Sequence, residues 1–293
     1  MSEPLVDALG RRVALPAPPQ RIVSLVPSET ESALRLVGSG RIVGRTTYCE
    51  HALDAVAVGG TKDPDVAAVV ALAPDLVLAN KEENGRKAVE AMIAAGLPVH
   101  VSFPQTAAES VAYLEALARL LGVPEHPLPA EVAAVVAAAA RDPRPPVRVF
   151  VPIWKDPWMT FDGRTFASDV LELAGGTNVF ADRPRRYPLA ADLGRREALP
   201  EARVGERDTR YPRTTLEEIR GRRPTIALLP DEPYAFTDAD AEGLSREIGG
   251  ASARVTSGKD LFWYGVHLAK AIAALRQTIA LLAESPTKNS MVE

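Results

Sequence analysis

Two short apolar runs, each followed at once by polar and acidic residues, constrain the fold of this chain more than any other feature. The first is LVL at residues 76–78, which leads into NKEEN at 80–84. The second is TIALL at residues 225–229, which leads into PDEP at 230–233. Apolar runs bounded by turn signals are typical of strands buried on both faces of a parallel sheet. Because ligands of open α/β sheets gather outside the carboxyl ends of the strands, each polar tail lies where a binding site is expected.

Strands and helices alternate in the same order in both halves of the chain. Strands are expected at residues 21–26 and 147–153, and short helices at 65–72 and 216–221 precede the two apolar runs. Such alternation predicts a parallel sheet in each half. The predicted fold class is therefore α/β, with two Rossmann-like lobes.

An alanine-rich helix at residues 130–141 separates the two halves, with prolines on both sides of it. The chain has 293 residues, and single cores usually stop growing near ~250–300 residues. Two lobes joined by this helix are therefore expected. The predicted parts are an N-terminal lobe at 1–123, a linker with the helix at 124–146, a C-terminal lobe at 147–284 and a disordered tail at 285–293.

The turn PSETE at residues 27–31 leads from the first strand into the first helix. Ser28 is expected to be the N-cap, with Glu31 three residues on completing a capping box. The open N-terminus of that helix would also suit an anion.

Composition excludes several classes of function. The formal net charge is -4 and no basic cluster with interleaved aromatic residues occurs, which argues against nucleic acid as a partner. Cys49 is the only cysteine, so no intramolecular disulfide forms. No nucleophile elbow, P-loop or GxGxxG motif supports an enzyme. No uninterrupted run reaches the ~18 apolar residues of a membrane span, and the start MSEP lacks the cationic and apolar regions of a leader, so a cytoplasmic location is expected.

A metal site is an alternative that the sequence leaves open. Cys49 and His51 lie in one loop, and His267 follows much later in the chain. With carboxylates from Glu82, Glu83 and Glu232, these soft and nitrogen ligands would suit zinc or iron. The same groups could equally be a partly buried thiol, a surface histidine and solvated loop charges.

The stretch at residues 183–213 contains nine arginines and little periodicity. It is either a solvated loop or a flap that brings cations and Tyr187 to an anionic ligand, since guanidinium groups pair with carboxylates and phosphates in bidentate fashion.

A set of motifs in a fixed order resembles a known family. They are RIVSLVPSETE (21–31), VGRTTYCEH (43–51), VGGTKDPD (58–65), ALAPDLVLANKEEN (71–84), LELAGGTNVF (171–180) and LEEIRGRRPTIALLPDEP (216–233). The chain resembles the helical-backbone (class III) substrate-binding proteins, which include periplasmic receptors for cobalamin, haem and ferric siderophores that feed ABC importers. The phrases CEH, NKEEN and FWYG are most similar to the leaderless branch called helical-backbone metal receptors.

The resemblance implies two lobes joined by one rigid helix, with the ligand in the cleft between them. Aromatic residues in the loops could stack on a planar ligand, although Phe161 and Phe262 could instead only fill space between the lobes. The ligand-binding residues implied are Ser28, Glu29, Thr46, Tyr48, Thr61, Lys62, Asn80, Glu82, Glu83, Asn84, Trp154, Trp158, Arg186, Tyr187, Glu232, Trp263 and Tyr264.

One pair of positions departs from the family pattern. Exported receptors of this kind carry a glutamate on each lobe that docks on arginines of the membrane permease. Here Glu217 occupies the second position but Ala67 occupies the first, so docking on an ABC permease is doubtful.

The function expected from the resemblance is a cytosolic, non-catalytic binding protein for a small-molecule metal chelate or tetrapyrrole. Cobalamin, haem and ferric chelates are the candidate ligands. The alternatives are an importer receptor whose leader has been removed, and a metal-ion-binding protein or metal-dependent enzyme that uses Cys49, His51 and carboxylates.

Overall fold

The structure, a computed structural model, describes residues 5–284. Its strands, in chain order, are β1 (Leu5–Val6), β2 (Arg12–Val13), β3 (Ile22–Ser24), β4 (Ile42–Arg45), β5 (Val56–Ala57), β6 (Leu76–Asn80), β7 (Val99–Ser102), β8 (Val147–Phe150), β9 (Gly176–Asn178), β10 (Ile226–Pro230) and β11 (Ser252–Thr256). Its helices are α1 (Pro27–Val37), α2 (Val66–Ala71), α3 (Arg86–Ala94), α4 (Ala107–Leu120), α5 (Leu128–Arg141), α6 (Phe166–Leu173), α7 (Leu189–Asp192), α8 (Glu201–Val204), α9 (Leu216–Gly221), α10 (Asp238–Glu247), α11 (Lys259–Phe262) and α12 (Leu268–Glu284). The predicted tail at 285–293 lies outside the described residues.

The chain divides into two compact units. Of the described residues, the first unit contains 5–104, 108–135 and 264–267, and the second contains 105–107, 136–263 and 268–284. The helix α5 contributes residues to both units. The short segment Tyr264–His267 belongs to the first unit although it follows the second in sequence, which the sequence pattern did not predict.

The first unit is built on a five-stranded sheet with the order β5-β4-β3-β6-β7, in which every pairing is parallel. All five residues of β6 are buried, as its apolar run predicts. The core on this sheet includes Val23, Val77, Met92 and Val99. Because β3, β6 and β7 are parallel neighbours, their carboxyl ends meet at one edge of the sheet.

The second unit is built on a four-stranded parallel sheet with the order β11-β10-β8-β9. Burial along β10 is again complete, and Phe150, Phe180 and Leu229 form part of the core beside it. The parallel α/β class is thus confirmed. The helix α10 and the strand β11 were not predicted, although Thr237 and Asp240 form a capping box at the start of α10 that the sequence contains.

The start of α1 differs from the prediction. Pro27 occupies the first helical turn and Val26 is the N-cap, without a side-chain hydrogen bond. Ser28 is therefore already inside the helix, and the predicted capping box with Glu31 does not form. Proline fits the first turn because its missing N–H would have no partner there, and the N-cap is therefore Val26, two positions before the predicted Ser28.

The segment Gly265–Glu284 is long and apolar enough to cross a membrane by length and composition. The core helix of a globular domain can have the same length and composition. In this chain one face of α12 is buried, through Leu268, Ala271, Leu275 and Ile279. That burial gives the apolar residues of α12 a packing role.

Candidate functional site

Asn80 and Ser102 end the neighbouring strands β6 and β7 and lie opposite each other in the sheet register. The side-chain amide of Asn80 donates two hydrogen bonds, to Ser102 Oγ at 3.0 Å and to the hydroxyl of Tyr264 at 3.0 Å. Each of these two hydroxyl groups is thereby free to donate its own proton elsewhere.

Both protons go to the carboxylate of Glu29 on α1. Ser102 Oγ donates to Glu29 Oε1 at 2.5 Å, and the Tyr264 hydroxyl donates to the same oxygen at 2.7 Å. Glu29 is only 1% exposed. Burial raises its pKa to about 7, although the hydrogen bonds from Ser102 and Tyr264 favour the charged form. We call Glu29, Asn80, Ser102, Tyr113 and Tyr264 the buried polar network.

Tyr113 lies beside this carboxylate. Its ring meets the ring of Tyr264 edge to face, with the centroids 5.5 Å apart. Within residues 5–284, neither the Tyr113 hydroxyl nor Glu29 Oε2 has a hydrogen-bond partner of good geometry. Burial and the charge of Glu29 both raise the pKa of Tyr113 well above its usual value. The network is therefore sensitive to the protonation state of Glu29.

The loop after β6 is held by two asparagines. Asn80 Oδ1 accepts hydrogen bonds from the backbone N–H groups of Glu82 (2.8 Å) and Glu83 (3.1 Å). Asn84 Oδ1 accepts from the N–H of Asn80 at 2.8 Å, and Asn84 Nδ2 donates to the carbonyl groups of Leu25 and Thr61. Both asparagines, predicted to contact a ligand, are buried and shape the loop. Their predicted contact with a ligand has no support from this geometry.

The segment Tyr264–His267 is fixed to the first unit by further hydrogen bonds. Ser110 Oγ accepts from Gly265 N at 2.8 Å, and Ser32 Oγ accepts from Val266 N at 3.2 Å. Gly265 has φ of 80°, and a Cβ there would lie 2.2 Å from Ser32 Oγ, so the position requires glycine. Through this segment Tyr264 contacts Glu29, although the two residues are 235 positions apart in the sequence.

The predicted metal ligands do not form a metal site. Cys49 Sγ donates to the carbonyl of His51 at 3.2 Å, and His267 Nδ1 lies 3.4 Å from Glu31 Oε2. Burial raises the pKa of Glu31, but His267, with smaller contributions from His51 and Arg35, brings it below its usual value. Across residues 5–284, no group of three or more His, Cys, Asp or Glu residues is placed to hold a metal ion.

The remaining predicted residues of the first unit differ widely in exposure. Tyr48 is 69% exposed, whereas Ser28 and Thr46 are buried. Lys62 is exposed and its ammonium group donates to the carbonyl of Glu82. Among the predicted residues of this unit, those with an exposed side chain are Tyr48, Lys62 and Glu83.

In the second unit, four aromatic side chains form a continuous series near the ends of β8 and β10. The ring of Trp154 meets Tyr234 edge to face at 5.2 Å, Tyr234 lies 4.5 Å from Phe236, and Phe236 stacks on Trp158 at 6.0 Å with an interplanar angle of 6°. We call these four residues the aromatic cluster. Trp154 is 46% exposed, so one end of the cluster is open to solvent.

Sequence reasoning predicted Trp154 and Trp158 but did not include Phe236 among the site residues. The signal was available in PYAF, where residues 234 and 236 alternate after a buried strand. Lys155, between the two tryptophans, is held by Asp240 at 2.6 Å. Its ammonium group lies 5.9 Å from the centroid of the Trp158 ring.

Two other predicted aromatic residues of the second unit, Phe161 and Trp263, are buried. Phe161 is completely buried and meets Phe262 edge to face at 6.3 Å, so packing is the alternative that the structure supports for it. Trp263 is buried, and its indole N–H donates to Glu232 Oε1 at 2.7 Å. Asp231 accepts from Gly258 N at 2.7 Å. The acidic residues after β10 thus hold the backbone and Trp263 in place.

Arg186 is exposed and Tyr187 is partly buried between arginine side chains. A surface cavity of about 490 Å³ lies elsewhere in the second unit, beside Arg220, Arg246 and Glu247. It is lined by none of the predicted site residues.

Comparison with known proteins identifies the family. The family described as periplasmic binding protein matches residues 22–199, which is more than half of the chain. The chain belongs to the periplasmic binding protein family. The family supports the prediction of a binding protein rather than an enzyme.

Among curated members of the family, the vitamin B12-binding proteins of Yersinia pestis (strain Pestoides F) and Yersinia pseudotuberculosis (serotype O:3, strain YPIII) are each 30% identical over 178 residues. The match covers 58% of this chain and 63% of each relative, so the chain spans less than two thirds of their length.

Solved structures of family members confirm the fold. The periplasmic vitamin B12 binding protein BtuF of Vibrio cholerae superposes with a TM-score of 0.67 at 18% identity, covering 92% of this chain and 99% of that one. The periplasmic haem-binding protein RhuT from Roseiflexus sp. RS-1 gives a TM-score of 0.67 at 18% identity, covering 90% and 99%. At this identity the likeness establishes the fold alone.

Proposed function

We propose that this chain is a non-catalytic binding protein for a cobalamin-like, haem-like or siderophore-like metal chelate. The family and the relatives named above support this class of ligand. The observation that carries the proposal is the half-exposed indole of Trp154 at the open end of the aromatic cluster.

The aromatic cluster has the properties that a flat macrocycle needs. Trp154 presents a large apolar surface to solvent, and such surfaces gain free energy when they are covered. Tyr234 supports the Trp154 ring from the side, which lowers the entropy lost when a ligand is bound. Lys155 is held by Asp240 and therefore does not fold over this surface.

The strand ends of the first unit hold a carboxyl group, but that group is not placed for catalysis. Glu29, the carboxyl group with the most shifted pKa there, is buried beneath Ser102 and Tyr264 and donates or accepts its proton within the network. A general acid or base must come within hydrogen-bond reach of its substrate. This burial supports binding rather than catalysis.

Titration of the full chain with hydroxocobalamin, haemin and a ferric catecholate, followed by absorption and tryptophan fluorescence, tests the proposal. Residues 154, 158 and 263 are the three tryptophans, and all belong to the second unit. We expect saturable 1:1 binding of at least one chelate, with quenching of this fluorescence. A chain that takes up none of the three, at concentrations where circular dichroism shows it folded, contradicts the proposal.

The cytosolic location and the leaderless branch stay predictions. Glu217 is exposed on α9 and Ala67 is exposed on α2. The expectation that docking on an ABC permease is doubtful also stays a prediction, and it rests on the single carboxylate at these two positions.

A further inference from the structure

In the arginine-rich segment at residues 183–213, some arginines form ion pairs with carboxylates and others do not. Arg183 is buried and paired with Asp192 (2.9 Å) and Glu218 (2.9 Å). Arg210 is paired with Asp208 at 2.6 Å. These pairs neutralise their own charge, and the Arg183–Glu218 pair joins the segment to α9.

Two arginines without such ion pairs lie against the ring of Tyr187. The guanidinium carbon of Arg185 lies 4.5 Å from the centroid of the Tyr187 ring, and that of Arg207 lies 5.5 Å from it. The hydroxyl of Tyr187 donates to the carbonyl of Asp208 at 2.7 Å, which fixes the ring. Two cations are thus held on one rigid aromatic side chain.

Arg213 adds a third cation to this group. Its side chain donates to the carbonyl of Tyr211 at 3.2 Å, and its backbone N–H donates to Asp192. Burial and the nearby charge of Arg185 both lower the pKa of Arg213. The two guanidinium groups therefore repel each other in the protein.

These three guanidinium groups form no direct ion pair of the kind that neutralises Arg183 and Arg210, although the carboxylate of Asp192 accepts from the backbone N–H of Arg213 and its charge raises the pKa of that residue. In the part of the chain that the structure describes, no carboxylate lies within ion-pair distance of Arg185, Arg207 or Arg213. Arg185 Nε is buried and has no hydrogen-bond partner there. A buried N–H group without a partner is unfavourable, so an acceptor from outside the chain that reached Arg185 Nε would stabilise this arrangement.

We propose that Arg185 and Arg207, held on the ring of Tyr187, together with the neighbouring Arg213, form a binding site for a ligand bearing carboxylate or phosphate groups. An oxyanion would accept from Arg185 Nε and reduce the repulsion between Arg185 and Arg213. Guanidinium groups suit this role because they donate two parallel hydrogen bonds to one carboxylate or phosphate. The site does not depend on the chelate-binding function, because a free anion is sufficient to occupy it.

Calorimetric titration of the full chain with citrate and with inorganic phosphate at low ionic strength tests the site. The double variant R185Q/R213Q removes two of the three cations, and R195Q/R196Q is the matched control. Arg195 and Arg196 are exposed in the same segment, so the control changes the net charge equally. We expect wild-type protein to bind at least one of the two anions, with the affinity about tenfold or more lower in R185Q/R213Q and within about twofold of wild type in the control.

Thermal unfolding gives a second readout. The bound anion should raise the Tm of wild type and of the control, but not that of R185Q/R213Q. Without anion, R185Q/R213Q should be at least as stable as wild type, because a like-charge pair is removed. If the double variant does not fold, R185Q alone serves in its place.

Either of two results would overturn the site: no binding of either anion by wild type, or equal losses in both double variants, which would indicate only general charge attraction. Haemin, which carries carboxylates, distinguishes a free-anion site from one that holds part of a chelate. If R185Q/R213Q weakens citrate but not haemin, the anion site is separate from the chelate site. If wild type binds citrate but none of hydroxocobalamin, haemin and the ferric catecholate, the chelate proposal is refuted and the anion site stands.

Discussion

The strands β6 and β10 are alike in sequence and burial, but the segment after β6 is buried in a hydrogen-bond network and the segment after β10 lies beside an exposed aromatic side chain. Both are fully buried parallel strands preceded by a short capped helix, with Asp65 capping α2 and Thr215 capping α9. After β6, Asn80 and Asn84 turn inward and join a buried hydrogen-bond network. After β10, the chain places Tyr234 beside an exposed tryptophan.

The difference arises from partners that are far away in sequence. Asn80 is buried because Ser102 and Tyr264 lie within hydrogen-bond distance, one from the next strand and one from near the end of the chain. Trp154 and Tyr234 meet because β8 and β10 are neighbours in the sheet. The local pattern therefore positions a strand end, and distant segments decide whether that end is closed or open.

The largest expected effect tests whether the two strands are equivalent in the core. Leu78 and Leu228 are both completely buried, in β6 and β10. Replacing either by alanine should destabilise its unit by about 2–5 kcal/mol, from lost apolar burial and the cavity left behind. Native-state hydrogen exchange, which resolves the two units, measures this. A loss confined to one of the two variants would show that the strands are not equivalent.

The next largest effect is the pH dependence of stability caused by Glu29, in the closed network at the end of β6. The folded pKa of Glu29 is about 7, above its usual 4.5. Stability from this group is therefore complete below about pH 4.5 and is lost as the pH rises through about 7, by an amount on the order of 3 kcal/mol.

Replacing Glu29 with glutamine should remove that pH dependence. A glutamine oxygen can still accept from Ser102 and Tyr264, and its amide can donate to Tyr113. We expect E29Q to be more stable than wild type at pH 8 and to show a flatter profile of unfolding free energy between pH 5 and 8. A slope equal to that of wild type would mean that Glu29 does not control it.

In the second unit we expect a smaller effect on stability, with a pH dependence opposite to that of Glu29. Hydrogen bonds from Lys155 and Thr237 lower the pKa of Asp240 to about 2. The stability it contributes is present above its usual pKa of 3.8 and is lost as the pH falls towards 2. Because the Lys155–Asp240 pair is partly exposed, D240N should cost only a few tenths of a kcal/mol near pH 7. Urea unfolding at pH 3 and pH 7 measures the difference, which should shrink at the lower pH.

The smallest effect concerns the first turns of the two matched helices. The first turn of α9 contains Glu217 and Glu218, whereas that of α2 contains no acidic residue. A carboxylate near a helix N-terminus stabilises the helix by about 0.3–1 kcal/mol. A67E should therefore stabilise slightly and E217A should destabilise slightly, both measured by thermal unfolding at low salt. Changes above that range would indicate that either residue makes a further contact.

The sequence predicted the fold from patterns that act locally. Buried runs at β6 and β10 and the short helices before them were predicted within about two residues, because burial on both faces leaves an unmistakable apolar run. The start of α1 was displaced, since proline at the first turn outweighed Ser28 as a cap. The helix α10 was not predicted, although the sequence TDAD at residues 237–240 contains its capping box.

The candidate site was predictable only in part. The sequence placed Asn80, Glu82 and Glu83 at a strand end, but whether Asn80 faces inward depends on Tyr264, which no spacing rule connects to it. Trp154 was predicted as a stacking residue and is exposed, whereas Phe161 was offered with it and is completely buried. Aromatic residues in loops have the same sequence signature in both situations, and burial separates them.

Equilibrium titration of wild type, W154A and S102A with the chelate that binds best tests the central claim most directly. Trp154 lies at the open end of the aromatic cluster, and Ser102 lies in the closed network. We predict that W154A weakens binding by about tenfold or more, as loss of a stacking surface worth about 1.5 kcal/mol implies. S102A should bind within about twofold of wild type under conditions where circular dichroism shows it folded. Unchanged affinity in W154A together with a large loss in S102A would contradict this account.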